Sequence, residues 1–215
     1  MSKAQKYILS FTAASLRLNE MVKVAAVACK EGIPDLSIIK DIGVVFNSAK
    51  RITTDREFRE IRKRLEKLTP YQMDILIHGD LISKKQIAFL AVCKHYSFIR
   101  DFTIEVIRDK VLVFDYKINE SDFNSFISSR IPLHPELEEF SESTLKKAKQ
   151  VMFHILEQAG IINNPIDKTI QPQILQQEVI KAIVRDDPAW LKIFIIPDRD
   201  IEQMKNYYGR YSKEV

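Results

Sequence analysis

Only five glycines punctuate 215 residues, and this most restricts what the chain can fold into. Tight β-turns and phosphate-cradling loops both use backbone conformations that glycine adopts without steric cost. A chain so poor in glycine is ill-suited to an all-β fold or to a nucleotide-binding α/β enzyme. Helix start and stop signals are frequent instead. Thr12 to Glu31 places Leu16, Met21, Val24 and Ala28 at helical spacing and closes on Gly32. Pro34 opens a second segment, Asp35 to Val45. Thr54-Asp-Arg-Glu57 reads as a capping box for a helix to about Leu68. Thr69-Pro70 starts the next helix, which Gly79 ends. Ser83-Lys-Lys-Gln86 reads as another capping box, for a helix to about Tyr96, and Ser97 caps a further one towards Val113. The expected fold class is mainly all-α.

The texture changes at Asp115-Tyr-Lys-Ile-Asn-Glu-Ser121, which is polar and lacks helical periodicity. The expected organisation is two small helical domains, 1–117 and 118–215. In the second, Asp122 to Arg130 reads as a short helix, after which Pro132 and Pro135 break the chain. Ser143 or Thr144 caps a helix ending at Gly160. Two short apolar stretches around Asn163-Asn-Pro-Ile-Asp167 then suit a β-hairpin near 161–171. A short helix over 135–140, a capped helix, a glycine and a hairpin follow the order of a winged helix-turn-helix. Further helices are expected over 173–184, 189–196 and 198–208.

Several classes are disfavoured. Cys29 and Cys93 lie within expected helices, and no signal peptide is visible, so both are read as reduced packed thiols. No apolar run approaches the ~20 residues needed to cross a bilayer; a cytoplasmic protein is expected. His78, His95, His134 and His154 are scattered, no cysteine pair has zinc spacing, and nucleotide-loop and nucleophile-elbow motifs are missing. No catalytic residue, metal site or cofactor is expected.

The charge is unevenly spread. Residues 1–100 carry 18 Lys and Arg against 10 Asp and Glu; residues 101–215 carry 15 against 19. The first half is therefore the one expected to meet an anionic partner. On the helix after Thr54, Phe58, Ile61, Leu65 and Leu68 form an apolar stripe. Nearly opposite stand Arg56, Arg59, Lys63 and Lys67, across about 80° of circumference and roughly 16 Å of axis at 1.5 Å per residue. Arg51 precedes them. A rigid row of cations suits phosphate, because each phosphate neutralised releases condensed counterions. Glu60 and Glu66 border the row, and Asp55–Arg59 and Glu60–Arg64 have ion-pair spacing, so a solvated helix face explains it too. The second candidate is the start of the Ser143–Gly160 helix, where Lys146, Lys147 and Lys149 would reach a groove if the winged-helix reading holds. Glu136, Glu138, Glu139 and Glu142 stand before it and would repel phosphate.

Beyond these patterns, particular residues carry a resemblance. They are Thr12-Ala-Ala-Ser-Leu-Arg17, Asn47 with Arg51, Arg64-Leu-Glu-Lys-Leu68, Phe102-Thr-Ile-Glu-Val-Ile-Arg-Asp-Lys110, Ser143-Thr-Leu-Lys146, and Ile155-Leu-Glu-Gln-Ala-Gly160 with the hydrophobic pair that follows. In this order and spacing the chain resembles the BrxA family, small components of the bacteriophage-exclusion (BREX) defence systems of bacteria. The resemblance implies an all-helical protein of two small globular parts that binds DNA and has no known enzymatic activity; double-stranded DNA is the expected partner. Its partners would be other BREX proteins, which include a methyltransferase, an ATPase and a phosphatase-like protein. Part of the family is likened to the RNA-binding NusB fold, so RNA is an alternative ligand, and a protein–protein adaptor is the other alternative. Family members have also carried an inner-membrane label, which the hydropathy of this sequence opposes. The resemblance carries no binding motif; the candidate sites rest on charge geometry.

Overall fold

A computed structural model of the chain describes residues 6–29 and 55–210. The expected helix over 35–45, the Thr54 cap, Asn47 and Arg51 lie outside the described residues. Ten α-helices are described: α1 (Leu18–Ala28), α2 (Asp55–Leu65), α3 (Pro70–His78), α4 (Leu81–His95), α5 (Ser97–Phe102), α6 (Asp109–Leu112), α7 (Glu120–Arg130), α8 (Glu142–Gln158), α9 (Gln177–Asp186) and α10 (Asp198–Arg210). A π-helical stretch, Thr103–Arg108, joins α5 to α6. Short 3₁₀ turns lie at Ser10–Ala13, Pro135–Leu137 and Pro188–Phe194.

The apolar pattern explains the arrangement. Gln86-Ile-Ala-Phe-Leu-Ala-Val-Cys93 in α4 is buried on every side, as expected of a helix that is apolar all round. α1, α2, α3, α9 and the 188–194 turn pack around it. A second part of the core is aromatic: Phe102 lies 6.0 Å from Phe123, 5.3 Å from Phe126 and 5.9 Å from Phe153, ring centre to ring centre. These rings tie α5 to α7 and α8. The buried apolar residues of both halves belong to one connected cluster. Both cysteines are free thiols. Two charged residues of the mostly apolar 98–114 segment are paired with residues beyond it: Glu105 with Arg130, and Lys110 with Asp115 at 2.6 Å and Asp122 at 3.1 Å.

Four expectations are corrected. The helix expected from Thr12 begins only at Leu18, because residues 6–17 form a strap whose side chains at Tyr7, Leu9 and Phe11 alternate inward. Its carbonyls at Ala14, Ser15 and Leu16 accept hydrogen bonds from Arg64 instead of closing helical turns, and Arg17 adopts φ +53°. Secondly, Asp80, not Ser83, caps α4: its carboxylate accepts from Ser83 N–H at 2.7 Å. Gln86, the supposed partner of Ser83, hydrogen-bonds the chain at Ile174 and Gln176. Thirdly, Ser141, not Ser143 or Thr144, caps α8, accepting from Thr144 N–H at 3.2 Å.

The fourth concerns the hairpin. Among the described residues there is no strand, only isolated bridges pairing Ile162 with Ile170 and Lys117 with Thr169. The segment divides its backbone bonds between two partners. Asn163 N–H donates to Thr169 O and Gln171 N–H to Ile161 O across the loop, while Ile170 N–H donates to Tyr116 O and Lys168 O accepts from Ile118 N–H. Side chains hold the tip: Asn164 Oδ1 accepts from Ile166 and Asp167 N–H, an Asx turn in place of a hairpin turn. The winged-helix unit is therefore not formed. By contrast, the Thr69-Pro70 start is as expected, with Thr69 and Gln72 forming a reciprocal capping box and Gly79 ending the helix.

Candidate nucleic-acid interface

Helix α2 is fixed by a buried polar network that its sequence pattern does not reveal. Phe58, Ile61 and Leu65 are buried as expected, but so are Glu60 and Arg64. Arg64 has no exposed surface and donates to three strap carbonyls, at 2.5 Å to Ala14, 2.6 Å to Ser15 and 3.4 Å to Leu16. Its Nε also donates to the Tyr96 hydroxyl at 3.4 Å. That hydroxyl donates in turn to Glu60 Oε2 at 2.6 Å, which also accepts from Ser10 Oγ at 2.7 Å. Glu60 and Arg64 are thus joined through Tyr96 in the interior rather than as a surface pair. Burial pushes the Glu60 carboxyl up, but hydrogen bonds from Ser10, Tyr96 and Lys63 outweigh it and hold the group below its ordinary value. Burial pushes the Tyr96 hydroxyl up to about 12; the Arg64 charge opposes this, and the bond to Glu60 adds to it.

This anchoring presents the opposite face to solvent. Arg56, Arg59, Lys63 and Lys67 are all exposed. Lys63 Nζ bonds Glu60 Oε1 at 3.0 Å yet keeps about half of its side chain in solvent (49%). Lys67 lies past the end of α2, in a tightened turn where its N–H bonds Arg64 at 3.1 Å, so 3₁₀-type geometry aims it. The nearby Arg62 is paired to Glu66 at 3.1 Å.

The second candidate end is divided. Lys146 and Lys147 are exposed near the start of α8. Lys149 is half-buried, pairs with Glu120 and sits 5.4 Å from the Phe123 ring centre. Lys146 and Lys149 line a cleft between α7 and α8 together with Glu120 and Glu142, so that cleft carries both signs of charge. Of the acids expected to repel phosphate there, Glu136 is turned inward. Its Oε1 accepts from Tyr7 N–H at 2.6 Å and lies 3.0 Å from His134 Nδ1.

Among the described residues, no group of three or more His, Cys, Asp or Glu could hold a metal ion. No described helix is long and apolar enough to cross a membrane. A feature that charge and motif patterns overlook is a pocket between α9 and α10 lined by Gln177, Lys181, Arg185, Tyr207 and Tyr208. The sequence does hold a signal for it: positions 177, 181 and 185 are four apart and share one helix face.

With this geometry in hand, comparison with known proteins places the chain. The family model of BrxA matches residues 5–187. The BREX protein BrxA of Escherichia coli O9:H4 (strain HS) is 28% identical over 139 residues, covering 65% of this chain and 63% of that protein. The BREX protein BrxA of Bacillus cereus (strain H3081.97) is 24% identical over 188 residues, 85% of this chain and 92% of that protein. A crystal structure of an uncharacterized protein from Magnetospirillum magneticum superposes with a TM-score of 0.75 at 20% identity, over 89% of this chain and 98% of that one. That likeness establishes a shared fold.

Proposed function

Because this chain belongs to the BrxA family, we propose that it is a non-enzymatic, cytoplasmic component of a bacterial BREX anti-phage defence complex that binds double-stranded DNA. The exposed cations of α2 are its phosphate contacts. One observation carries the reading: Arg56, Arg59 and Lys63 stand in solvent on a helix whose other face is locked inside by Arg64, Glu60 and Tyr96, and Lys67 continues the exposed row in the turn just past it. A helix anchored on its buried face loses little backbone freedom on meeting a phosphate backbone. Such contacts position a duplex without reading its bases.

The test is duplex binding by the quadruple alanine variant of Arg56, Arg59, Lys63 and Lys67, measured at several salt concentrations. Affinity should fall alike for every sequence, and the slope of log affinity against log salt should flatten by about 0.9 for each phosphate no longer neutralised. Lys146→Ala with Lys147→Ala tests the start of α8 separately. A folded quadruple variant with unchanged affinity and slope sinks the reading; tighter binding of structured RNA than of duplex would replace DNA by RNA as the ligand.

A specific feature favours an adaptor as the second reading. Leu112, Val113, Phe114 and Tyr116 form an exposed apolar tip, with Phe114 82% in solvent. Phe114 also adopts φ +62°, in the left-handed position where glycine usually ends a helix. Under this reading the tip meets another BREX protein. Co-purification abolished by Phe114→Asp, with duplex binding intact, would support it.

A further inference from the structure

The pocket between α9 and α10 is the strongest feature that the duplex reading leaves unused. Gln177, Lys181 and Arg185 succeed one another at four-residue steps along α9, and Tyr207 and Tyr208 face them from α10. Lys181 and Arg185 are exposed. Tyr207 is exposed, whereas Tyr208 is half-buried against the core, and their rings meet edge to face at 4.8 Å. The cavity holds about 260 Å³, and the described residues that line it include two cations and no carboxylate. Its position also matters. Arg185 lies 5.4 Å from the ring centre of Tyr71, four residues after Lys67. Lys94 Nζ donates to Lys67 O at 3.1 Å and pairs with Asp186 at 2.5 Å, so the end of the α2 row and the end of α9 meet at one junction.

Two exposed cations, a pair of tyrosine rings and an amide in one small concavity satisfy three demands at once. The cations take a phosphate, a ring offers a stacking face, and Gln177 can bond the edge of a heterocycle as donor and acceptor. The volume is somewhat below the ~300–1,000 Å³ of drug-sized sites, which suits a single unit rather than an extended ligand. We propose that this pocket binds one unpaired nucleotide, its base against the tyrosines and its phosphate between Lys181 and Arg185. The inference does not depend on the duplex contacts assigned to α2. The nucleotide could belong to a single strand or be free in solution, and the test separates the two.

The full-length protein is titrated against a fluorescently labelled dT-dodecamer by anisotropy, with adenosine and thymidine monophosphates, the blunt duplex and polyglutamate as competitors. The variants are Tyr207→Ala, Tyr207→Phe and the pair Lys181→Ala with Arg185→Ala. Tyr207→Ala should weaken the single strand roughly 5- to 150-fold, the worth of one stacked base, while Tyr207→Phe should keep most of the affinity. The cation pair should weaken the single strand and lower its salt slope, with duplex binding left to α2. Displacement by a monophosphate as well as by strands identifies free nucleotide as a source; displacement by strands alone identifies a strand. Failure of the wild type to bind any single strand or monophosphate overturns the proposal. So does equal displacement by polyglutamate, or variants that bind the strand as the wild type does. The α2 quadruple variant is scored on duplex alone, so either assignment can fail without the other.

Discussion

Among single residues, the buried trio Arg64, Tyr96 and Glu60 decides the most. A guanidinium in the interior is costly unless its donors are used, and here three strap carbonyls and a phenol use them. Tyr96 is the hinge of the trio, donating a hydrogen bond to Glu60 and accepting one from Arg64. Tyr96→Phe should cost about 1–3 kcal/mol, because both buried partners are deprived of a bond. The pH dependence has a definite sign. Tyr96 has its pKa raised from 10.0 to about 12, so its contribution is fully present below pH 10 and lost as pH rises towards 12. Glu60 has its pKa lowered from 4.5, so its contribution is present above that value and lost as pH falls through the depressed one. Burial also lowers His95 from 6.5 and raises the Cys29 and Cys93 thiols from 9.0, so urea unfolding should show a plateau only between about pH 7 and 9, with the Glu60 and Tyr96 falls beyond it. Tyr96→Phe should lower the plateau and leave a shallower alkaline fall. Some alkaline fall remains from Tyr7, whose buried hydroxyl, bonded to Asp101, is also raised. A variant with the wild-type midpoint at pH 7 would show that the trio does not hold the strap.

At the level of helices and loops, sequence signals succeed where the governing contact is local and fail where a distant residue competes. Thr69, Pro70, Gln72 and Gly79 lie within one helix, and each stands where the pattern puts it. Spacing misplaces the α4 cap because Ser83 and Gln86 fit a capping box, while Asp80, three residues earlier, already fills the role. Gln86 is drawn away to the 174–176 segment. The strap mimics a helix because Leu16 fits helical spacing with Met21 and Val24; the guanidinium that captures its carbonyls comes from 48 residues on. The outward placing of Arg56, Arg59 and Lys63 and the inward placing of Phe58, Ile61 and Leu65 are legible in α2; the inward turn of Glu60 and Arg64 is not, because Ser10, Tyr96 and the strap carbonyls lie outside the helix. Caps give a direct check. Ser141→Ala and Thr69→Ala should each cost about 1 kcal/mol. Ser83→Ala should cost less than either, since Asp80 caps the helix through the Ser83 N–H, which alanine keeps. Destabilisation by Ser83→Ala, with Ser141→Ala neutral, would return the caps to where the sequence pattern puts them.

Across the whole molecule, composition divides what packing joins. The change in charge and texture near residue 117 is real, yet hydrogen bonds and an ion pair run across it in the buried and part-buried interior. Gln158 Oε1 on α8 accepts from the strap's Leu16 N–H at 2.9 Å. The Gln72 side-chain amide on α3 donates to Ala182 O and Asp186 on α9, both at 3.2 Å. Lys94, its side chain only 7% exposed, meets Asp186 and lies 6.0 Å from the ring centre of Trp190. Surface charge can differ between two halves that share one core, because charge is set by the outward faces of helices and cohesion by the inward ones. The halves should accordingly unfold together. Trp190 is the only tryptophan and reports the second half at its contact with α4, whereas far-UV circular dichroism averages over every helix. The two probes should give coincident urea transitions. Asp186→Ala, which leaves Lys94 buried without its carboxylate, should move both midpoints down by the same amount. A tryptophan transition separated from the helical one, or shifted alone by Asp186→Ala, would mean that the halves fold as independent units and that the junction transmits nothing between them.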